Sequence, residues 1–320
     1  MQPPDFWRRE ANPWPSRLLS PLGTLYGAAA TLRRWSHQPY RPTVPVVVAG
    51  GLTLGGSGKT PLALALAERL KPRRPYFLSR GYGGRFAGPL AVDPARHGAA
   101  DVGDEPLLLA AAAPTWVARD RPAGARAAAA AGAGLLILDD GFQNPFIAKD
   151  LAFLAIDGEV GLANGHVFPA GPLREPAGGA FARASAVVLI GEDRTGLAAR
   201  IAGRCPILQA WLVPAADAMA LGGQRVYAFA GIGRPEKFFA GLERLGAEVV
   251  SRRAFPDHHP YGAAEIETLL AEAAARNARP VTTAKDQVRL PAAQRARVSV
   301  ASVALRFDDL AALDRLLARV

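Results

Sequence analysis

Apolar runs alternate with alanine-rich stretches of helical character along the first two thirds of the chain. The run "PVVVAGG" at 45–51 leads into a glycine-rich loop, and "PLALALAERL" follows at 61–70. Further apolar runs lie at 75–81, 115–120, 134–140, 151–157 and 186–191. Continuous runs of this kind are typical of strands buried on both faces of a parallel sheet. The pattern therefore predicts α/β architecture, with a mostly parallel sheet flanked by helices.

The alternation restarts after Pro214 and predicts a second, smaller α/β unit. Its strands are predicted at 225–233, 247–252, 280–285 and 298–305. Its helices are predicted near 235–245 and 263–276. We expect the chain to divide into a core unit over 41–210, the smaller unit over 211–305, and a last helix at 306–320 able to pack back on the core.

The N-terminal stretch at 14–35 is apolar, is interrupted by Pro21, and carries a tryptophan at each end. Its roughly fifteen apolar residues are fewer than the roughly twenty that a spanning helix needs. The start of the chain is polar and contains Asp5 and Glu10, which is not the pattern of a signal peptide. Two interpretations stay open, a helix lying at a membrane surface and a helix packed on the core.

Composition narrows the class of protein. The chain has 320 residues, 50% of them hydrophobic and 21% charged, as expected of a globular protein. A single cysteine, Cys205, allows no intrachain disulfide and fits a reducing compartment. The net charge of +10 is compatible with an acidic partner. No helix-turn-helix, zinc-finger or RNA-binding pattern accompanies it, so we expect no nucleic acid and infer no obligate protein partner.

The loop "LTLGGSGKTP" at 52–61 matches most of the phosphate-loop pattern G-x-x-x-x-G-K-[ST]. Gly58, Lys59 and Thr60 fit, whereas Thr53 replaces the leading glycine. Thr53 is acceptable on the strand side of the loop if its φ is negative. The loop follows a predicted strand and opens a predicted helix, which is the geometry that binds an anion. A glycine-rich structural turn is the alternative.

In the phosphate-binding interpretation, glycines let the backbone approach phosphate oxygens closely. The lysine would reach the β and γ phosphates and the threonine hydroxyl would bind Mg²⁺. The predicted nucleotide-binding residues are Gly55, Gly56, Ser57, Gly58, Lys59 and Thr60.

A pair of acidic residues ends another predicted strand. In "LLILDDGFQN", four apolar residues run directly into Asp139 and Asp140. Adjacent carboxylates repel each other unless a cation neutralises one of them, so a Mg²⁺ site is the economical explanation. A plain surface turn is the alternative, because Asp and Gly are also turn residues.

Two further stretches carry groups able to move a proton. "DVGDEP" places Asp104 and Glu105 before a predicted helix, and "FPDHHPY" places His258 and His259 in a proline-bounded loop. A kinase needs a group that deprotonates its acceptor hydroxyl, and a histidine held by a carboxylate can do so. The sequence alone does not pair Asp104 with His258. A surface turn or an incidental metal site would explain the adjacent histidines equally well.

The motifs, taken in order, resemble those of the tetraacyldisaccharide 4′-kinase family, the lipid A biosynthesis kinases of Gram-negative bacteria. The blocks are "GGLTLGGSGKTP", "LSRGYGG", "VGDEP", "ILDDGFQ", "PAGPLREP", "FAGIGRPEKF", "FPDHHPY" and "TTAKDQVRL". The resemblance extends in order from about residue 5 to about residue 305. The family is similar in lacking the first glycine of the phosphate loop. The resemblance implies a P-loop NTPase-like fold.

The resemblance also implies the activity. The family transfers the γ-phosphoryl group of ATP, with Mg²⁺, to the 4′ hydroxyl of an acylated glucosamine disaccharide monophosphate, the precursor of lipid A. It does so at the cytoplasmic face of the inner membrane. We therefore expect a peripheral enzyme whose residues 1–40 form an amphipathic segment that meets the membrane surface.

Site roles follow position by position from the matching motifs. Asp104 and His258 are implied as the acid/base pair, Lys59 as a catalytic phosphate contact, and Asp139 and Asp140 as the residues that manage Mg²⁺ and the transferring phosphate. The implied metal-binding residues are Thr60, Asp139 and Glu105. The candidate substrate or phosphate contacts are Glu105, Gln143, Arg80, Arg121 and Arg174. A guanidinium group suits phosphate because it donates in a planar fork.

One departure and two rival classes accompany the resemblance. Asn144 stands where the family commonly has histidine after "DDGFQ", which puts the role of a ring nitrogen there in doubt. A switch GTPase would need an N-K-x-D motif, and "TAKDQ" at 283–287 has lysine and aspartate adjacent. A membrane-bound ATPase or a nucleotide-binding carrier remains compatible with the phosphate loop, but it leaves the "DHHPY" loop without a role.

Overall fold

The computed structural model describes residues 4–8 and 12–320. The predicted N-terminal segment 1–40 therefore includes residues 1–3 and 9–11, which lie outside the described residues. Within the described residues, short 3₁₀ helices lie at Asp5–Trp7 and Lys71–Arg73.

The strands are β1 (Val46–Gly51), β2 (Pro75–Ser79), β3 (Leu90–Ala91), β4 (Thr115–Val117), β5 (Leu135–Asp139), β6 (Leu151–Asp157), β7 (Ala186–Ile190), β8 (Ile207–Pro214), β9 (Arg225–Ala230), β10 (Glu248–Ala254), β11 (Arg279–Thr283), β12 (Ser299–Ala301) and β13 (Val303–Phe307).

The α-helices are α1 (Trp14–Trp35), α2 (Lys59–Arg69), α3 (Ala99–Val102), α4 (Asp104–Ala110), α5 (Arg121–Ala130), α6 (Ala177–Arg183), α7 (Leu197–Ile201), α8 (Ala216–Met219), α9 (Pro235–Arg244), α10 (Ala263–Ala275), α11 (Ala284–Gln287), α12 (Ala292–Arg295) and α13 (Leu310–Leu317).

The larger sheet has nine strands in the order β13-β8-β7-β6-β1-β5-β2-β4-β3. Its seven central strands pair in parallel, and the two edge strands β13 and β3 are antiparallel to their neighbours. Every residue of β1, β5 and β7 is buried, which explains their unbroken apolar runs. The predicted α/β class with a mostly parallel sheet is confirmed.

The smaller sheet has four parallel strands in the order β10-β9-β11-β12. Helices α9 and α10 pack against it: Phe239 and Leu242 of α9 contribute to the cluster on one face, and Ile266 and Leu269 of α10 to the cluster on the other. The amphipathic spacing of these helices supplies one apolar stripe to each layer.

Two strands link the sheets near the predicted boundaries at 210 and 305. β8 continues in the larger sheet to Pro214, and β13 returns to that sheet at Val303, directly after β12 of the smaller one. The helix α13 then packs into the core of the larger unit through Leu313, Leu316 and Leu317. The division of the chain at 210 and 305 stays a prediction.

The N-terminal helix α1 continues through Pro21 and has few buried residues, namely Ser16, Gly23 and Gly27. Gly23 and Gly27 lie one helical turn apart against the segment at 167–176, and a Cβ on Gly23 would stand 2.6 Å from the Val167 carbonyl oxygen. The helix is therefore docked on the larger unit by its glycine side. None of the helices in the described ranges has the length and apolarity required to cross a bilayer.

Candidate active site

The phosphate-loop sequence lies between the central strand β1 and the helix α2. Gly58 caps α2 with φ of 86°, in the left-handed region, and a Cβ there would collide with Ile190. Thr53 has no positive φ and forms an isolated bridge with Leu173, so the missing first glycine is accommodated on the strand side. The loop therefore presents its backbone at the N-terminus of α2, which favours an anion.

The Lys59 ammonium lies at the start of α2 in a buried position close to the acidic pair. Burial lowers the pKa of Lys59, and Asp140 works against that shift. Lys59 Nζ stands 3.9 Å from Asp140 Oδ1, and Arg174 Nη1 donates to both carboxylate oxygens of Asp140, at 2.9 and 3.0 Å. Asp140 thus contacts two cationic side chains, those of Lys59 and Arg174, beside the phosphate loop.

Asp139 occupies the end of β5, beside β1, and is buried. Burial, together with the neighbouring Asp140 and Glu105 carboxylates, raises the pKa of Asp139 to about 7. Its Oδ1 atom has no hydrogen-bond partner among the described residues. A buried carboxylate without a partner is costly, so this atom suits a bound cation.

Glu105 and Thr60 supply further oxygen atoms near Asp139. Thr60 is buried in the first turn of α2. Burial raises the pKa of Glu105, but Lys285 and His258 outweigh it and hold that pKa below its ordinary value. Lys285 Nζ donates to Glu105 Oε1 at 2.8 Å. No set of three or more His, Cys, Asp or Glu side chains arranged to hold a metal occurs within 4–8 and 12–320. A magnesium ion here would need ligands from the nucleotide, which is its usual mode of binding.

Asp104 and His258 contact each other across the two sheets. His258 Nδ1 and Asp104 Oδ2 are 2.8 Å apart, although 154 residues separate them in sequence. Asp104 is buried at the start of α4, and the His258 side chain is half exposed in the loop after β10. His258 has φ of 60°, which is uncommon outside glycine, and its N–H donates to the Gly231 carbonyl. The backbone therefore holds the ring over the larger unit.

The neighbouring His259 lies outside this pair. Its Nε2 atom is 2.9 Å from Glu265 Oε2, and its ring stacks on Phe255 with centroids 4.7 Å apart. These contacts belong to the smaller unit, so His259 supports the loop.

The remaining predicted contacts lie around the same cleft. Arg121 begins α5, is 3% exposed, and its Nη1 atom has no partner among the described residues. Burial lowers the pKa of Arg121 to about 10, although the nearby Asp139 and Asp140 carboxylates act to raise it. Gln143 donates to the Gly51 carbonyl at 3.0 Å, and Arg80 is exposed at the cleft wall.

Asn144 uses its side chain locally, because its Oδ1 atom accepts from the Phe146 N–H at 2.8 Å. It lines the cleft, but the described contacts give it a turn-forming role.

Sequence reasoning assigned no role to three charged residues at the site. Lys285 and Arg289 reach Glu105 and Asp104 from the smaller unit, and the almost fully buried Glu175 accepts from Arg34 and Arg183. Lys285 and Arg289 belong to the block "TTAKDQVRL" and Glu175 to "PAGPLREP". Membership of those blocks was the available signal, but a basic residue in an arginine-rich chain does not reveal its partner.

One continuous cleft of about 2930 Å³ joins these groups. It is lined by the phosphate loop, by the acidic pair, by His258 and Lys285 from the smaller unit, and by Tyr26, Arg33 and Arg34 of α1. A cleft of this extent accommodates a nucleotide and a second large substrate together.

A phosphate loop on the central parallel strand, an acidic pair on the next strand and a carboxylate–histidine pair facing them define a P-loop kinase. The chain belongs to the tetraacyldisaccharide-1-P 4′-kinase family, LpxK, whose sequence model matches residues 15–320. Members of this family are ATP-dependent phosphotransferases of lipid A biosynthesis.

Individual relatives agree over the whole chain. The tetraacyldisaccharide 4′-kinase of Rhodospirillum centenum is 57% identical over 99% of this chain and 96% of its own length. The tetraacyldisaccharide 4′-kinase of Paramagnetospirillum magneticum is 54% identical over 100% of this chain and 99% of its own length. A crystal structure of LpxK from Aquifex aeolicus in complex with ATP superposes with a TM-score of 0.75 at 26% identity, covering 95% of this chain and 98% of that one. The family resemblance, the P-loop fold and the use of ATP are confirmed.

Proposed function

We propose that the chain transfers the γ-phosphoryl group of ATP to the 4′ hydroxyl of the lipid A precursor, with Asp104 and His258 as the pair that takes the hydroxyl proton. The observation that carries this assignment is the 2.8 Å contact between His258 Nδ1 and Asp104 Oδ2, with His258 lining the same cleft as the phosphate loop. Phosphoryl transfer asks for positioning and charge neutralisation, and this cleft offers both.

The loop residues 55–60 hold the phosphates of ATP. Their backbone N–H groups and the N-terminus of α2 face the anion, and Lys59 donates to the β and γ oxygens. The Ser57 hydroxyl is buried without a hydrogen-bond partner among the described residues, which supports a ligand at this loop.

The oxygen atoms of Thr60, Asp139 and Glu105 fit Mg²⁺, because they are hard donors and Asp139 Oδ1 is buried without a partner within the described ranges. When bound, the ion neutralises charge on the phosphate oxygens. Asp140 has a different task. It orients Lys59 and Arg174 toward the transferred group.

The proton transfer uses one residue from each unit, Asp104 from the larger and His258 from the smaller. As the bond between O4′ and phosphorus forms, the hydroxyl proton passes to the Asp104–His258 pair, and the bond from phosphorus to the β–γ bridging oxygen breaks to release ADP. A general base placed in this way typically contributes about 10²- to 10⁴-fold to the rate.

Arg121 and Arg174 are proposed as phosphate contacts, with Arg80 and Gln143 at the substrate side of the cleft. Arg121 is the best supported, since a buried guanidinium group with an unpartnered Nη1 calls for an anion. Gln143 is fixed by the Gly51 carbonyl and keeps its Oε1 atom free of hydrogen bonds among the described residues.

The helix α1 is proposed to meet the cytoplasmic face of the inner membrane, where an acylated substrate resides. Leu18, Leu22 and Leu25 follow helical spacing and are 64%, 54% and 66% exposed. Arg33 and Arg34, at the end of the same helix, line the cleft. An apolar stripe that ends beside the catalytic cleft suits an enzyme that draws a lipid from the interface.

The test follows label from γ-labelled ATP into detergent-dispersed lipid A disaccharide monophosphate. We expect labelled lipid from the wild type and none above background from Lys59→Met. Asp104→Asn and His258→Asn should each lower kcat by about 10²-fold or more, and the double variant should cost far less than the product of the two losses.

The matched control is His259→Asn, because His259 neighbours the pair and contacts Glu265 instead. Its kcat should stay within about threefold of the wild type. Release of free phosphate without labelled lipid would contradict the kinase assignment. Multiplicative losses for Asp104 and His258 would contradict the pair.

A further inference from the structure

The Asp104 carboxylate has a second partner that the proton-transfer scheme does not use. Arg289 Nε lies 2.8 Å from Asp104 Oδ2, the same oxygen atom that His258 Nδ1 contacts. This contact is an ion pair, because Arg289 Nε and Nη2 make no hydrogen bond among the described residues. Arg289 follows α11 in the smaller unit, whereas Asp104 begins α4 in the larger one. Both partners of this one oxygen atom therefore come from the smaller unit.

Arg289 is itself held rigidly. Its side chain is 3% exposed, and its Nη1 atom donates to the Gly231 carbonyl at 2.9 Å and to Asp286 Oδ1 at 3.2 Å. Asp286 is fully buried and also accepts from the Tyr261 hydroxyl at 2.9 Å and from the Gly231 N–H at 2.9 Å. These contacts hold the Nη1 end of the guanidinium group in a buried network.

The same network reaches His258. The Gly231 carbonyl accepts both from Arg289 and from the His258 N–H, at 3.1 Å. A single backbone group thus sets the separation between the two side chains that meet on Asp104.

The chemistry of the two partners differs. A guanidinium group stays protonated in proteins and can only donate, so Arg289 cannot exchange a proton with the hydroxyl. It can fix the rotation of the carboxylate. Both of these contacts use Oδ2, and Asp104 Oδ1 has no hydrogen bond among the described residues.

We propose that Arg289 is a positioning residue for phosphoryl transfer: it locks Asp104 Oδ2 against His258 and makes the geometry of the pair depend on docking of the smaller unit. The proposal rests on the role of the Asp104–His258 pair given above. Orientation of this kind is worth orders of magnitude in rate, because small misplacements of a reacting group are costly.

A second arginine in the same segment provides a matched control. Arg295 donates from Nε to the Leu290 carbonyl at 2.8 Å and from Nη2 to the Val288 carbonyl at 2.9 Å. These bonds remain within the smaller unit. Arg295→Met therefore removes a partly buried arginine of the same segment without touching Asp104.

The experiment compares Arg289→Met, Arg289→Lys and Arg295→Met by kcat, KM for ATP and thermal unfolding. We expect Arg289→Met to lower kcat about 100-fold with KM for ATP changed by less than about twofold, since the phosphate loop is untouched. Arg289→Lys keeps the charge, loses the fork, and should recover about a tenth of the wild-type kcat. Arg295→Met should shift the melting temperature and leave kcat within about threefold.

The decisive step repeats Arg289→Met in the Asp104→Asn background, where it should lower kcat by less than about threefold. A full loss in that background, or a wild-type kcat for Arg289→Lys and Arg289→Met, would overturn the proposal. If Arg289→Met does not fold, Arg289→Lys decides alone, because a wild-type kcat rejects positioning by the fork.

The same series separates this proposal from the proposed function. A near-wild-type kcat for Asp104→Asn would contradict the proposed catalytic pair itself. An inactive Asp104→Asn variant together with fully active Arg289 variants would contradict only the positioning role of Arg289.

Discussion

Asp139, which we propose as a magnesium ligand, carries a cost in stability. It lies buried at the end of β5 next to Asp140, and its raised pKa of about 7 records how poorly the folded chain tolerates its charge. The unfolded chain ionises the same group near pH 4. Between these two values the folded state binds more protons than the unfolded state, so stability falls as the pH rises from about 4 to about 7.

Replacement of Asp139 by Asn should therefore stabilise the metal-free protein at neutral and alkaline pH while abolishing kinase activity. We expect the variant to exceed the wild type by roughly 1–4 kcal/mol of unfolding free energy above pH 7, and the gain to disappear below about pH 4. Thermal unfolding in a chelator over a pH series measures it. A variant less stable than the wild type at pH 8 would show that the carboxylate is compensated in the folded state.

At the residue scale, the sequence alone indicates those candidate site residues that are contiguous. The phosphate loop and the acidic pair are recognisable because each follows a buried strand directly. Asp104 and His258 were paired only through the family resemblance, since their contact joins two sheets. The sequence does not indicate Arg289 as a site residue, because the partner of one arginine among many is known only once the fold brings Asp104 to it.

At the scale of elements, apolar runs predicted the central strands well, because strands buried on both faces leave no polar interruption. The run at 298–305 shows the limit. The chain divides it at Ser302 into β12, which pairs with β11, and β13, which pairs with β8 in the other sheet. No glycine or proline marks the change, since the pairing depends on strands far away in sequence.

The docking of α1 gives a prediction for one glycine. Gly23→Ala should destabilise the protein by about 1–3 kcal/mol despite the better helix propensity of alanine, because the new Cβ would stand 2.6 Å from the Val167 carbonyl oxygen. Gly241→Ala in α9 is the control, since a Cβ there meets nothing within 4 Å. Denaturant unfolding of both variants checks it, and equal stabilisation of the two would mean that α1 does not pack as described.

At the scale of the whole molecule, charged contacts connect the two units around the cleft. Lys285 pairs with Glu105, Arg289 pairs with Asp104, and Arg234 lies 3.3 Å from Asp157. Interfaces of this polarity usually permit relative motion of the units. We expect the units to separate for substrate entry and to bring His258 back to Asp104 when they close.

The exposed apolar stripe of α1 is expected to contribute to membrane binding. A variant with Leu18, Leu22 and Leu25 changed to Ser should bind vesicles that contain anionic lipid about tenfold more weakly than the wild type, and its KM for the lipid substrate should rise while KM for ATP is unchanged. The physical reason is that each leucine buried in the bilayer would add apolar contact, whereas the proposed ATP site is the phosphate loop.

A double variant with Met219 and Leu310 changed to Ser controls for surface hydrophobicity in general, because both side chains are exposed, at 66% and 49%, and lie outside α1. Vesicle co-sedimentation with and without anionic lipid, followed by lipid-kinase kinetics, measures both effects. Unchanged vesicle binding by the α1 variant would assign membrane contact to another surface. Weaker binding with an unchanged KM for lipid would show that α1 anchors the enzyme without delivering substrate to the cleft.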